Sequence, residues 1–275
     1  IQMNSSDYGP ALASFENASA LFVRLKNKPG EALCQMDIGI IYFYLGDYDK
    51  AAEYYFNSLT IAREIKDSRS IAYAENNIAN LYYLQKKYKA SIDLFQKCLA
   101  AGIELNDQVL IADCEYYLAL NYFETNELEK SLANCLSALN IDIKQGNARG
   151  IATKNILLSD IYLKQKKFNE AKLYISKANE YARKTDDSIQ LLSHAMLKLA
   201  NINQIAGNTK EAIGNAFEAI ALAKRGKLRQ NLYEAYKTLS NIYESKKDFK
   251  ASLTYHQLYL LHKDSALNDK NNKSI

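Results

Sequence analysis

Few side chains in this sequence could make or break bonds. Histidine occurs three times, as His194, His256 and His262. The last two are six residues apart, which puts them on different faces of a helix and leaves no metal-binding pair. The four cysteines, Cys34, Cys98, Cys114 and Cys135, show no CxxC spacing. They stand where comparable positions carry Ala, Ser, Phe or Ile, and so read as small buried groups. A disulfide framework suits short chains with meagre cores, not one of 275 residues. No Gly-rich phosphate loop, HExxH, GxSxG or Cys/His dyad occurs, and the carboxylates scatter without pairing. The expectation is a non-enzyme with no catalytic residue, no metal ligand and no cofactor.

Lysines gather in alternate polar turns: Lys86, Lys87 and Lys89, then Lys164, Lys166 and Lys167, then Lys246, Lys247 and Lys250. They read as solvated turns along one edge. A formal charge of +4 and little arginine argue against direct binding of nucleic acid. With 48% hydrophobic and 24% charged residues, the chain is neither disordered nor membrane-like. No apolar run approaches the ~18 residues that span a bilayer.

The elements that must position any binding residue announce themselves by repetition. Gly39, Tyr42, Tyr48 and Ala51 set a spacing of small residue, aromatic, turn, aromatic, small residue. It returns as Ala79, Tyr82, Tyr88 and Ser91, as Ala119, Tyr122, Leu128 and Ser131, and as Ser159, Tyr162, Phe168 and Ala171. Ala200 with Ala212 and Ser240 with Ser252 continue it. The first small residue recurs at intervals of 40, 40, 40, 41 and 40, and the gap of twelve to the second never changes. Such a period is the mark of a stacked repeat array.

Each repeat reads as two helices. Tyr48, Ala51, Ala52, Tyr55, Phe56, Leu59 and Ala62 fall at three- and four-residue steps. The only prolines are Pro10 and Pro29, so helices can run almost throughout. Short polar turns such as Gly46-Asp47 and Asn126-Glu127 suit antiparallel hairpins. Small residues mark where paired helices cross too closely for larger side chains. The extra residue behind the interval of 41 is expected near Asp186-Asp187.

Ile38-Gly39, Tyr42, Gly46-Asp47-Tyr48, Ala51, Tyr55 and Ser58 resemble the tetratricopeptide repeat (TPR). The period is 40 rather than 34 and the closing proline is missing, so the added residues belong in longer helix ends. HEAT and armadillo repeats share a period near 40 but not the small-aromatic-small signature. Long units of this kind are similar to those of bacterial regulators, peptide-pheromone receptors and kinesin light chains. The resemblance implies an all-α, right-handed superhelical α-solenoid of antiparallel helix pairs. Its expected layout is a partial N-terminal repeat over 1–30, six helical pairs with a C-terminal cap helix over 31–268, and a polar tail over 269–275. In this register the chain opens partway through a first helix, without an initiator Met, and reads as a fragment.

By the same resemblance, the first helix of each unit lines a concave groove. The candidate partner-binding residues are Met36, Ile40, Phe43 and Tyr44, then Tyr73, Asn76, Asn77, Asn80 and Tyr83, then Tyr116, Tyr117 and Phe123. Exposed aromatics in a groove suit a protein or peptide partner. The family's carboxylate clamp for chaperone tails is absent as a set: Lys237 and Asn241 fit one part and Asn77 another, but no run of units carries all of it.

The implied function is a non-catalytic protein- or peptide-binding scaffold. The terminal stretch Leu260–Asn268 resembles the sensory TPR region of bacterial two-component signalling proteins. A soluble peptide-signal receptor and a free-standing adaptor are the alternatives. A homodimer stays open, as does the compartment, a periplasmic sensor region or the cytoplasm.

Overall fold

The computed structural model describes residues 8–185 and 188–272, with side chains described as far as Asp264. Thirteen helices and no strand occur among the described residues. A lone helix, α1 (Tyr8–Arg24), precedes six antiparallel pairs. These are α2 (Lys28–Leu45) with α3 (Tyr48–Glu64), α4 (Ser68–Leu84) with α5 (Tyr88–Glu104), and α6 (Gln108–Glu124) with α7 (Leu128–Gln145). Then follow α8 (Ala148–Lys164) with α9 (Phe168–Ala182), α10 (Ile189–Ile205) with α11 (Thr209–Arg225), and α12 (Arg229–Ser245) with α13 (Phe249–Asn272). The all-helical array of paired helices expected from the repeat is present. Consecutive helices start 20 residues apart, except that α10 starts 21 after α9. The extra residue therefore belongs to that link, and Asp186-Asp187 lie outside the described residues. Helix α13 continues to Asn272, so the backbone of 269–272 is helical, while 273–275 lie outside the description.

One turn geometry serves between repeats and within them. Every helix except α9 and α13 ends on a described residue in the left-handed region, at Gly46, Gly146 and Gly207 and also at Lys86, Asn126, Lys166 and their counterparts. At Lys86 (φ 59°) the amide of Lys87 donates to the Tyr82 carbonyl and the amide of Lys86 to Tyr83, both at 2.9 Å. That pattern satisfies two carbonyls that would otherwise be orphaned at the helix end. The next helix starts at once, often capped by an Asp or Asn side chain. Asp47 accepts from the Lys50 amide and Asp107 from the Leu110 amide.

The invariant gap of twelve has a physical cause. Ala79 and Ser91, Ala119 and Ser131, and Ser159 and Ala171 are fully buried at helix crossings. Wherever one of them is serine, its hydroxyl donates to the carbonyl of the other, at 2.9, 2.7 and 2.9 Å. At Gly39, an added Cβ would fall 2.7 Å from the ring of the buried Tyr55. A second crossing recurs 26 residues apart, as Ala32 with Ser58, Ala72 with Cys98, Ala112 with Ala138 and Ala152 with Ala178, all buried. The last pair replaces both members with tyrosine, and Tyr233 and Tyr259 meet with ring centroids 6.2 Å apart. All four cysteines are buried thiols and none of them is in a disulfide.

The chain divides into two compact units, Ile1–Ile141 and Asp142–Ile275, the division falling inside α7. In the first unit, α2 touches α4 and α4 touches α6, whereas no described contact joins α1 to α3 or α3 to α5. The first helices therefore converge and the second helices diverge, which makes the first-helix layer concave. The second unit repeats this: α10 touches both α8 and α12, whereas, among the described residues, α9, α11 and α13 reach one another only through side chains such as Arg183 with Glu218 and Phe217 with Tyr255.

Candidate functional site

All twelve candidate groove residues lie on α2, α4 and α6, the concave layer of the first unit. Each helix is held at its start. Asn27 caps α2 by accepting from the Gly30 amide, and Asp67 caps α4 through the Arg69 and Ser70 amides. The Ser70 hydroxyl, 2.6 Å away, is the main cause that holds the Asp67 carboxyl below its ordinary range. Asp107 caps α6, is almost fully buried, and also accepts from the Tyr73 hydroxyl at 3.2 Å while Arg69 stands 3.6 Å off. Tyr73 is thereby fixed between two neighbouring repeats of the first unit. Burial first, and Asp107 second, push its phenol up to about 12.

The candidates divide into two kinds. One kind contacts the neighbouring first helix or the core. Asn80 donates to the Tyr117 hydroxyl at 3.2 Å, and the buried Asn76 accepts from the Cys114 thiol at 3.5 Å. Tyr117 also stacks on the fully buried Phe95, with centroids 5.2 Å apart and planes within 3°. The Asn80–Tyr117 contact is one rung of a ladder that recurs in the second unit, where Lys198 meets Asp160 at 2.5 Å and Thr238 donates to Asn201 at 3.0 Å. Each rung joins residues 37 or 38 apart on adjacent first helices. Spacing within a single repeat gives no sign of it.

The other kind keeps surface on the concave face. Tyr44 is 55% exposed. Phe43 packs edge-on against Tyr44 at 5.9 Å and against Tyr48 at 5.6 Å. Met36, Ile40, Asn77, Tyr83, Tyr116 and Phe123 are half-buried. Tyr83 leans on Tyr88 at 6.1 Å, and burial, then Glu124, raise its phenol to about 12. Tyr116 meets Tyr117 edge-on at 5.5 Å. The aromatics of three consecutive first helices therefore share one layer, with Phe43, Tyr44, Tyr83 and Tyr116 each braced by another ring. Rigid, amphipathic rings of this kind bind with little loss of side-chain freedom.

The turn lysines are structural in part. The ammonium groups of Lys87 and Lys167 sit 5.8 Å from the rings of Tyr82 and Tyr162, and Lys246 sits 5.5 Å from Tyr243. Lys86, Lys166 and Lys247 occupy the left-handed turn position itself. The histidines lie apart. His194 is exposed on α10, His256 leans on Tyr259, and His262 stacks on Tyr236 at 5.3 Å. Among the described residues, no group of three or more His, Cys, Asp or Glu could hold a metal, and no helix is long and apolar enough to cross a membrane.

Two family models, both described as Tetratricopeptide repeat, match residues 37–104 and 155–185. No curated protein matches the sequence. Solved structures similar to this chain include aspartyl phosphate phosphatase F from Bacillus subtilis, with 18% identity and a TM-score of 0.70. That match covers 90% of this chain and 64% of the phosphatase, less than two thirds of its length. The apo quorum sensor NprR from B. thuringiensis matches at 15% identity and a TM-score of 0.64, covering 92% and 82%. The Rap conjugation gene regulator of the plasmid pLS20, solved in complex with the Phr* peptide, matches at 14% identity and a TM-score of 0.63, covering 88% and 76%. At these identities the likeness is one of fold.

Proposed function

We propose that this chain, whose residues 37–104 and 155–185 match tetratricopeptide-repeat models, is a non-catalytic repeat scaffold binding a peptide or an extended protein segment on the first-helix layer of its first unit. One observation carries this reading: braced, half-buried aromatics on three adjacent helices of a concave face. Large stiff side chains there supply anchors, and the Asn77 amide can bond an extended backbone. Most of the affinity of such an interface rests on a few anchors, each costing about 2 kcal/mol or more when truncated.

Within that reading, a receptor for a peptide signal is favoured over a free-standing adaptor. Its support is the structural likeness to a quorum sensor and to a regulator holding a peptide. A sensory region within a larger bacterial signalling protein is compatible with the same face. The test is capture of the partner from native extract, followed by titration. Tyr116→Ala should weaken binding at least about tenfold, since an anchor is lost. Lys166→Ala, on the turn edge, should change it little. The reverse result would move the interface to the edge.

A further inference from the structure

Sulfur sits where other repeats keep alanine. Cys98 on α5 and Cys114 on α6 are fully buried in one core cluster, 16 residues apart in sequence. Their counterparts are Ser58 with Ala74, Ala178 with Ala195, and Ala219 with Ala235, all buried, while Ala138 and Lys154 hold the fourth such place. Small residues at both positions mark a close approach of consecutive repeats, and a disulfide joins Cβ atoms only about 3.5–4.5 Å apart. The α5–α6 interface puts a thiol at both positions.

The two thiols meet. That of Cys114 lies within hydrogen-bonding reach of Cys98 and also donates to Asn76 Oδ1 at 3.5 Å. Asn76 is itself buried on α4, in the first-helix layer. The Cys98 thiol first, and burial second, push the Cys114 thiol above its ordinary range. A neutral buried thiol is a poor nucleophile. The closed interface therefore protects the pair, and reaction waits on a local opening of α5 from α6.

We propose that Cys98 and Cys114 are an oxidation site: a small-molecule disulfide converts them to a buried cystine that staples the second repeat to the third and takes from Asn76 its thiol donor. In the opened state one protein thiolate attacks a sulfur of the small disulfide and releases one small thiolate. The other protein thiolate then attacks the protein-bound sulfur of that mixed disulfide and releases the second. The two small thiolates take up the protons that the protein thiols gave up, and two electrons pass from the pair to the small disulfide. A buried amide oxygen left without a donor is unfavourable, so the Asn76 side chain turns and the change reaches the concave layer. The bond forms whether or not that layer holds a peptide.

The test equilibrates the reduced full chain with mixtures of oxidised and reduced glutathione, both by oxidising the folded protein and by refolding it from urea in the same mixture. Samples are acid-quenched, alkylated in denaturant and mapped by mass spectrometry. A Cys98–Cys114 cross-link should form by both routes, with Cys34 and Cys135 still open to alkylation, and excess reduced glutathione should reverse it. Folding should favour the cross-link at least about tenfold over the same equilibrium in concentrated urea, because only the fold holds the thiols together. The cross-linked chain should accordingly unfold at a higher urea concentration than the reduced one. Cys98→Ala and Cys114→Ala, each carrying the residue that other repeats use, should fold and form no such bond. The Asn76 side-chain amide signals in NMR spectra should shift on oxidation of the parent and stay unmoved in Cys98→Ala. A cross-link no more favoured in the folded chain than in urea overturns the proposal, as does a lower urea midpoint of the cross-linked chain. A bond to Cys34 or Cys135 in its place, or no bond by either route, overturns it too. Unmoved Asn76 signals would overturn the coupling to the first-helix layer.

Discussion

The hydroxyl of Ser131 donates to the backbone carbonyl of Ala119 at 2.7 Å, twelve residues back on the partner helix, and both residues are fully buried. The same bond joins Ser159 to Ala171 in the opposite sense, from first helix to second. Close approach comes first, and the hydroxyl then uses it. Ala119→Leu should therefore overpack the crossing and cost about 1–3 kcal/mol. Ser131→Ala removes one donor and leaves the carbonyl its helical bond, so it should cost only about 1 kcal/mol. Urea unfolding of both variants checks the order, and a larger loss in Ser131→Ala would reverse the argument.

Lys86 holds a φ of 59° at a helix end, where Gly46, Gly146 and Gly207 do the same work in other turns. A residue with a Cβ is disfavoured in this conformation by roughly 1–2 kcal/mol, and glycine gives back part of that through the entropy of its unfolded chain. Lys86→Gly should thus stabilise the protein by about 0.5–1 kcal/mol, while Gly46→Ala should destabilise it by a similar or larger amount. Thermal unfolding of the two variants should show shifts of opposite sign. Shifts of the same sign would mean that something other than backbone conformation governs these turns.

These residues also explain what could be read in advance. The recurrence of Gly39, Ala79 and Ala119 was legible because a steric limit admits only the smallest side chains. The likeness of the turns was not, because the left-handed position carries lysine six times, glycine three times and asparagine twice among the described residues. The concave layer followed from family register, yet Asn80 and Tyr117 turned out to bond each other. That rung crosses from one repeat to the next, and its partners change chemically from Asn–Tyr to Asp–Lys. No recurring residue type marks it.

Lys154 and Asp142 form a buried ion pair at 2.8 Å, with side chains 7% and 3% exposed. Other repeats put Ala62 with Ala74 and Ala223 with Ala235 at these places, all buried. Asp142 also accepts from the Asn147 amide at 2.8 Å. Lys154→Met strands a buried carboxylate and should cost about 3–5 kcal/mol. Adding Asp142→Ala to it removes the stranded charge and should recover most of that loss, since well-packed apolar replacements of buried pairs are often neutral or better. A double variant as unstable as the single one would show that the pair holds the fold in a way that apolar packing cannot.

Two groups should bend the acid limb of stability in opposite directions. His194 keeps surface on α10 yet is crowded by its neighbours, and that partial loss of water first, with the Lys198 ammonium second and Asp160 opposing, lowers its pKa to about 4. The unfolded chain takes up this proton near 6.5 and the folded chain only near 4, so stability should fall as pH drops through that window. His194 is exposed, and solvent screening keeps the effect modest. His194→Gln should flatten the decline between roughly pH 6.5 and 4. Asp37 has the reverse sign. Burial raises its pKa, so the folded chain protonates first and gains stability as pH falls towards the ordinary carboxylate range. Asp37→Asn removes that gain, and the acid decline should steepen while stability at pH 7 holds or rises. Urea midpoints of the parent and both variants at pH 7, 5.5 and 4.5 decide the matter. If Asp37→Asn flattens the decline, or His194→Gln steepens it, the environments assigned to these two residues are wrong.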